Sequence, residues 1–346
     1  MGGNVEAETY SDIIKERLGL EVTTHCNIDC SHCFVRAGIS ESSTLSLDLA
    51  KEIIADGYNA GYRHLHITGG EPLLWEGLFE MLDYAFDMGY QTGFLNTNGT
   101  LLTKNINSRL AAYDGLSISV SLEGTEALHD HLRKASYYRQ TVQGIESALD
   151  AGIDLSIFTT ACKSLLPELP HFADDLYKRF VNIKWLTLVQ LIPVTDGVFA
   201  LSEELLEPEN FLQLVDIVSL LNLLGLRTCF LNNPLAYVAS KLLKILWIPH
   251  SGPLYSEGSM IVMANRDICL SHSSRDSFGK YKPGMIEKVL ASDEYRKAVG
   301  PDETTCPSCK YAELCMENGM LRPSEWYCDI HSDVLYCQKV LDSVRE

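Results

Sequence analysis

The stretch CNIDCSHCF, residues 26–34, places three cysteines within eight positions directly after an apolar segment. Cys26, Cys30 and Cys33 follow the spacing C-x3-C-x2-C and come just after the first predicted strand, 19–24. In parallel α/β sheets and barrels, the carboxyl ends of the strands are where ligands bind. The loop is therefore placed where three thiolates can surround one metal centre.

Three thiolates are one ligand short of closing either a tetrahedral zinc site or a four-iron cluster. A structural zinc site would take His25 or His32 as its fourth ligand. An iron–sulfur cluster would instead keep one iron open, and that iron can hold a substrate. The cysteine spacing alone leaves both interpretations open.

The composition excludes several classes of protein. The cysteines number 11, an odd count, and the first 20 residues lack a secretion signal, so metal-bound thiolates in a cytoplasmic protein are favoured over disulfides. A net charge of −18 argues against nucleic acid as a partner, because phosphate binding needs clustered Lys and Arg. No charge-free apolar run approaches the ~18 residues that span a bilayer, so no membrane partner is expected.

From residue 18 onward, strand-like and helix-like segments alternate, which predicts βαβ units and a parallel sheet. The predicted strands are 19–24, 64–68, 91–96, 116–122, 153–160 and 183–192. The predicted helices are 47–60, 77–88, 105–112, 138–151, 169–179 and 209–224. Six such units form either an open sheet or most of a barrel.

The pattern changes after residue 250. It becomes a hairpin with a turn near Asn265, then a short helix, 286–298, and then a cysteine-rich tail. We therefore predict three parts, which are an N-terminal arm at 1–17, an α/β core at 18–250 and a smaller C-terminal domain at 251–346.

A second motif, GGEP at residues 69–72, ends the second predicted strand. The C-x3-C-x2-C loop after strand one, followed by GGEP after strand two, resembles the radical S-adenosylmethionine (SAM) superfamily. The resemblance covers roughly residues 18–200. It implies a partial (β/α)6 TIM-like barrel, a [4Fe–4S] cluster on the three cysteines of the loop, and SAM chelating the open iron.

The resemblance also implies SAM contacts at the ends of strands two to four. These SAM-binding residues are Gly69, Gly70, Glu71, Asn98, Ser121 and Arg133. For Arg133 an alternative stays open, because the segment His129–Arg133 also fits a solvated helix start with a local ion pair.

The cysteine-rich tail suits zinc or an iron–sulfur site equally when it is taken alone. Behind a radical SAM core, it resembles the small α+β SPASM and twitch domains. Gly284 and Gly319 stand where the full SPASM pattern has cysteines, which implies one auxiliary [4Fe–4S] cluster and two clusters in all. The implied auxiliary ligands are Cys306, Cys309, Cys315 and Cys337, with Cys328 as the alternative fourth ligand.

The resemblance implies a radical SAM oxidoreductase or maturase. Such an enzyme cleaves SAM reductively to a 5′-deoxyadenosyl radical and abstracts a hydrogen atom from a substrate C–H bond. The first hypothesis is maturation of a ribosomally made peptide, with a flavodoxin or ferredoxin as low-potential electron donor. The alternative is oxidation, epimerisation or decarboxylation of a small molecule, such as a sugar, an aminocyclitol or a tetrapyrrole. A non-catalytic zinc-binding protein is the hypothesis from a different class. No catalytic residue is singled out.

Overall fold

Strands and helices alternate along the chain in the computed structural model, as the sequence predicts. The structure describes residues 17–33, 43–134, 136–191, 201–231, 233–245, 248–249, 257–272, 277–299, 310–311 and 333–344. Within those ranges, no helix is both long and apolar enough to cross a bilayer.

The strands are β1 Arg17–Glu21, β2 His64–Thr68, β3 Thr92–Thr97, β4 Leu116–Ser121, β5 Asp154–Ala161, β6 Leu186–Gln190, β7 Thr228–Phe230, β8 Met260–Val262 and β9 Ile268–Cys269. The helices are α1 Leu47–Asn59, α2 Leu78–Met88, α3 Lys104–Leu110, α4 Glu126–Arg133, α5 Tyr138–Asp150, α6 Leu169–Arg179, α7 Pro208–Leu223, α8 Pro234–Leu242, α9 Met285–Leu290, α10 Asp293–Val299 and α11 Asp333–Ser343. Short 3₁₀ turns lie at Pro72–Leu74, Lys163–Leu165 and Ser202–Glu204.

The strands form one sheet in the order β7-β6-β5-β4-β3-β2-β1-β8-β9. All neighbouring pairs from β7 to β8 are parallel, and β9 is antiparallel to β8. Phe94 of β3 shares a buried cluster with Cys229 of β7, although three strands separate β3 from β7 in the sheet. This contact requires the sheet to curl around an interior lumen, which confirms the predicted partial barrel.

Each strand presents one face to the helices and the other to the lumen, because successive side chains alternate. In β1, Leu18 and Leu20 are fully buried in the main core, whereas Glu21 belongs to the opposite face. Gly19 lies on that opposite face too, where a Cβ would come within 2.8 Å of the Cβ of Ile261. The lumen face of β1 is therefore closely packed against β8.

The C-terminal region differs from its prediction in two ways. The hairpin is present as β8 and β9, but β8 also pairs with β1 and so extends the sheet of the barrel. The predicted helix 286–298 is divided into α9 and α10, because the Ser292 hydroxyl accepts the Tyr295 N–H at 3.1 Å and starts a new helix.

Candidate functional site

The three cysteines of the first motif lie together in the loop that follows β1. Cys26 is buried, and Cys30 and Cys33 are half-buried. All three belong to one small apolar cluster with Ile28 and Tyr137. The fold therefore brings together the thiols that the sequence assigned to a metal centre.

The described residues of this loop do not form a compact site for a single ion. Thiolates on one tetrahedral zinc lie about 3.8 Å apart, because each Zn–S bond is about 2.3 Å long. Among the described residues, no three ligand atoms from this loop, His25 and His32 included, lie within 4.8 Å of one another. A four-iron cluster binds each thiolate at a different iron, so it does not require the thiols to lie this close together.

The two glycines of GGEP allow the end of β2 to pack against the cysteine loop. A Cβ on Gly69 would lie 2.4 Å from the carbonyl oxygen of Thr23, and one on Gly70 would lie 2.3 Å from that of His25. The Gly70 N–H donates to Thr23 at 2.7 Å, and the Glu71 N–H donates to His25 at 2.9 Å. A side chain at either glycine would push the loop away, so the motif fixes the position of the cysteines.

The Glu71 carboxylate is fully buried and held by its neighbours. Its Oε1 accepts the Thr97 hydroxyl at 2.8 Å and the Leu73 N–H at 3.1 Å, and its Oε2 accepts the Asn98 N–H at 2.8 Å. Burial raises the pKa of Glu71 even with these donors. Both oxygens are thus used to join the end of β2 to the end of β3.

Asn98 lies between β3 and the cysteine loop. Its Nδ2 donates to Asn27 at 2.9 Å and is 4.0 Å from the Cys26 sulfur. Its Oδ1 accepts the hydroxyl of Thr100 at 2.6 Å. The side chain therefore supports the loop, and its contact with SAM stays a prediction.

Arg133 belongs to a buried charged group and not to a solvated helix start, so that alternative is wrong. Arg133 is 5% exposed and His129 is fully buried. Arg133 Nη2 donates to Glu123 Oε1 at 2.7 Å, and His32 Nε2 lies 3.2 Å from the same oxygen. Burial disfavours the charged form of Glu123, but His32, Arg133 and the Thr160 N–H hold its pKa well below its usual range.

This charged group faces the cysteine loop. Burial raises the pKa of Cys30 to about 12, and the Arg133 charge is the largest influence in the opposite direction. The Ser31 hydroxyl donates to the Leu132 carbonyl at 2.8 Å, which ties the loop to the end of α4. Within the described structure, Arg133 Nε and His32 Nδ1 are buried and have no hydrogen-bond partner. The three thiols are suited to hold an anionic cluster, and the unused donor of Arg133 is suited to an anionic ligand.

A row of polar side chains crosses the lumen face of the neighbouring strands. His66 hydrogen-bonds to Asn96, whose Nδ2 donates to the Ser119 hydroxyl at 2.7 Å. Burial lowers the pKa of His66 to about 4, so its ring is neutral. The predicted SAM contact Ser121 lies half-buried at the end of β4, two positions after Ser119. Sequence reasoning passed over His66 and Asn96, although alternate polar residues in the strand HLHIT signal a polar lumen.

Of the auxiliary-cluster residues, only Cys337 can be placed. It is half-buried on α11, next to Tyr336, whose hydroxyl lies 3.4 Å from the amide nitrogen of Gln190 at the end of β6. Cys337 is thus close to the same sheet edge as the cysteine loop. Outside the described residues lie Cys306, Cys309, Cys315 and Cys328.

The chain matches the family model of the radical SAM superfamily over residues 20–171. An AdoMet-dependent heme synthase of Methanosarcina barkeri is 37% identical over 155 residues, which are 43% of each protein. The mycofactocin maturase MftC of Mycobacterium ulcerans is 28% identical over 228 residues, which are 60% of this chain and 62% of the relative. The chain thus spans about half the length of the curated relatives that it matches.

Solved structures show the same fold at low sequence identity. Native anSMEcpe with bound AdoMet superposes with a TM-score of 0.73 at 16% identity, over 94% of this chain and 95% of the other. The same protein with bound AdoMet and the Kp18Cys peptide superposes with a TM-score of 0.69 at 15% identity, over 95% of this chain and 98% of the other.

Proposed function

The chain contains a radical SAM domain, and from this premise we propose that it cleaves SAM reductively and abstracts a hydrogen atom from a peptide substrate. The family implies a [4Fe–4S] cluster and SAM as cofactors. When bound, they supply a low-potential electron and a hydrogen-abstracting radical. The observation that carries this proposal is the gathering of Cys26, Cys30 and Cys33 beside the buried cation Arg133.

Each residue at this edge has a proposed task. The three thiolates hold the cluster, and the close packing of Gly69 and Gly70 fixes their loop. Arg133 is proposed to meet the carboxylate of SAM, because its Nε is a buried donor left without a partner in the described structure. Ser121 is proposed to meet the ribose. The side chains of Glu71 and Asn98 hold the backbone in place through bonds to protein. Their contact with SAM, like that of Gly69 and Gly70, stays a prediction.

A second cluster is proposed in the C-terminal region, 251–346, with an auxiliary electron-transfer role. The support is the position of Cys337 near the end of β6, at the same sheet edge as the cysteine loop. A flavodoxin or ferredoxin is proposed as the electron donor.

The choice of a peptide rests on similarity to a solved structure that holds a peptide and to a maturase. The structure of anSMEcpe holds a peptide together with AdoMet, and it is similar over nearly all of this chain. MftC is a maturase that matches the longer stretch of sequence. The heme synthase favours the alternative, a small-molecule substrate such as a tetrapyrrole.

The test is SAM cleavage by anaerobically reconstituted protein with dithionite as reductant. We expect 5′-deoxyadenosine from the wild type and none from Cys30→Ala. Cys162→Ala is the control, because this fully buried thiol packs in the main core. Retained cleavage by Cys30→Ala would overturn the assignment of the cluster. Colourless protein with stoichiometric zinc would support the non-catalytic alternative.

A further inference from the structure

Glu21 has a buried carboxylate that is assigned no role in binding the cluster or SAM. It is the last residue of β1, on the lumen face, five positions before Cys26. It is 2% exposed. Its Oε1 accepts the Ala264 N–H at 3.1 Å, whereas its Oε2 is buried without a hydrogen-bond partner in the described structure.

Within the part of the chain that the structure describes, no cation forms an ion pair with Glu21. Burial raises its pKa to about 7, and only the Ala264 N–H acts in the opposite direction. The cation on the same face of β1 is Arg17, about 13 Å away along the strand at ~3.3 Å per residue. Its guanidinium stacks over the Phe94 ring at 5.4 Å. Glu123, by contrast, has Arg133 and His32 within 3.2 Å.

A buried carboxylate with an unused oxygen is destabilising unless something pairs with it. The hydrogen bond from Ala264 holds the hairpin of β8 and β9 against β1, which gives Oε1 a structural role. Oε2 has no such role. The cross-strand neighbour on β2 is Thr68, directly before GGEP, which places Glu21 between the cysteine loop and the polar row that includes His66. Oε2 is thus an unused acceptor on the lumen face of β1 in the described structure.

We propose that Glu21 Oε2 anchors the substrate by accepting a hydrogen bond from a cationic N–H group, either an ammonium or a guanidinium. This inference rests on the proposed function and narrows its substrate class. Two kinds of molecule carry such an N–H cation, a small amine and a peptide with a basic side chain. Glu21 is here a binding residue that positions the substrate beside the cysteine loop.

The test measures melting-temperature shifts of reconstituted, SAM-loaded protein at pH 8. The probes are n-propylammonium, for a small amine, and acetyl-Gly-Lys-Gly-amide, for a peptide. Tetramethylammonium and 1-propanol are controls, because the first carries charge without N–H donors and the second lacks charge. The variants are Glu21→Gln, which keeps an acceptor for Ala264, and Glu80→Gln, whose carboxylate is largely exposed.

We expect at least one N–H cation to stabilise the wild type and Glu80→Gln, with a Kd roughly tenfold or more higher in Glu21→Gln. The probe that binds identifies the source, small amine or peptide. Should Glu21→Gln fail to fold, Glu21→Asp must still prefer the N–H cation over 1-propanol.

An unchanged Kd in Glu21→Gln, an equal response to tetramethylammonium, or no response to either probe would overturn the inference. SAM cleavage by the wild type is scored separately. Its absence, with N–H cation binding retained, would overturn the proposed function and leave the carboxylate site in place.

Discussion

The buried ion pair of Arg133 and Glu123 is predicted to contribute to the stability of the fold beside the cysteine loop. Arg133→Met removes the guanidinium and leaves the Glu123 carboxylate buried beside His32 alone. Breaking a buried ion pair in this way costs about 3–5 kcal/mol of unfolding free energy. Urea unfolding of the metal-free protein at pH 7 measures the loss.

The matched control for this prediction is Arg139→Met. Arg139 forms an ion pair of similar length with Glu126, at 3.0 Å, but both side chains are largely exposed. Such a pair contributes about 0.2–1 kcal/mol. If Arg133→Met destabilised the protein no more than Arg139→Met does, the buried pair would have no special role in stability.

Glu21 gives a prediction about pH. Its pKa is raised by burial from 4.5 to about 7, so the folded state binds more protons than the unfolded state in this window. Stability from this group is therefore complete below pH 4.5 and is lost as the pH rises through 7. The loss is on the order of 3 kcal/mol, at about 1.4 kcal/mol for each pH unit of the shift.

Comparison with Glu21→Gln isolates this contribution from other titrating groups. Urea unfolding at pH 5 and pH 8 is compared for both proteins without metal. The difference between the two pH values should be smaller in the variant, with the variant the more stable protein at pH 8. An identical pH dependence in both proteins would show that Glu21 is not a buried neutral carboxyl near neutrality.

At the scale of elements, the glycines of GGEP are predicted to act through packing. Gly70→Ala would place a Cβ 2.3 Å from the backbone oxygen of His25, which cannot move without displacing the cysteine loop. We expect a loss of more than about 2 kcal/mol, as for overpacked sites, and poor incorporation of iron. Iron content after anaerobic reconstitution and urea unfolding are the measurements.

Gly152→Ala is the control for that prediction. Unlike Gly70, Gly152 has a positive φ, at 80°, but a Cβ there would meet no atom within 4 Å. It should cost about 1 kcal/mol from backbone strain and leave iron incorporation unchanged. Equal iron incorporation by Gly70→Ala and the wild type would mean that the contact with His25 does not position the loop.

The order of the elements was predictable because long strands and helices carry clear periodic patterns. The four strands β2 to β5 begin and end within one residue of their predicted positions, and β6 begins three residues later than predicted. β7 was missed because Thr228–Phe230 is too short to show a period. The break at Ser292 was missed because it depends on one capping hydroxyl within a helical pattern.

The site was predictable where its chemistry follows a motif. The cysteines of the loop and the GGEP glycines could be named from spacing and resemblance. The structure gathers the cysteines in one cluster and packs the glycines against the backbone of Thr23 and His25. The burial of Arg133 and the unpaired oxygen of Glu21 could not be, because each depends on strands and loops that meet only in the folded chain.

For the molecule as a whole, the remaining prediction is the number of clusters. The resemblance implies one cluster at the loop with Cys26 and a second that includes Cys309 and Cys337, so the wild type should hold roughly eight irons. Cys309→Ala and Cys26→Ala should each reduce the iron to about half that number. The two variants differ in their expected spectra, because SAM is proposed to bind only the cluster near Cys26.

Electron paramagnetic resonance of the reduced proteins therefore separates the two sites. SAM should perturb the remaining signal in Cys309→Ala and have no effect on the one in Cys26→Ala. Cys162→Ala, a buried thiol of the core, should match the wild type in both iron and spectrum. Unchanged iron in Cys309→Ala would mean that the tail binds no cluster, and a two-electron oxidation would then lose its second electron-transfer site.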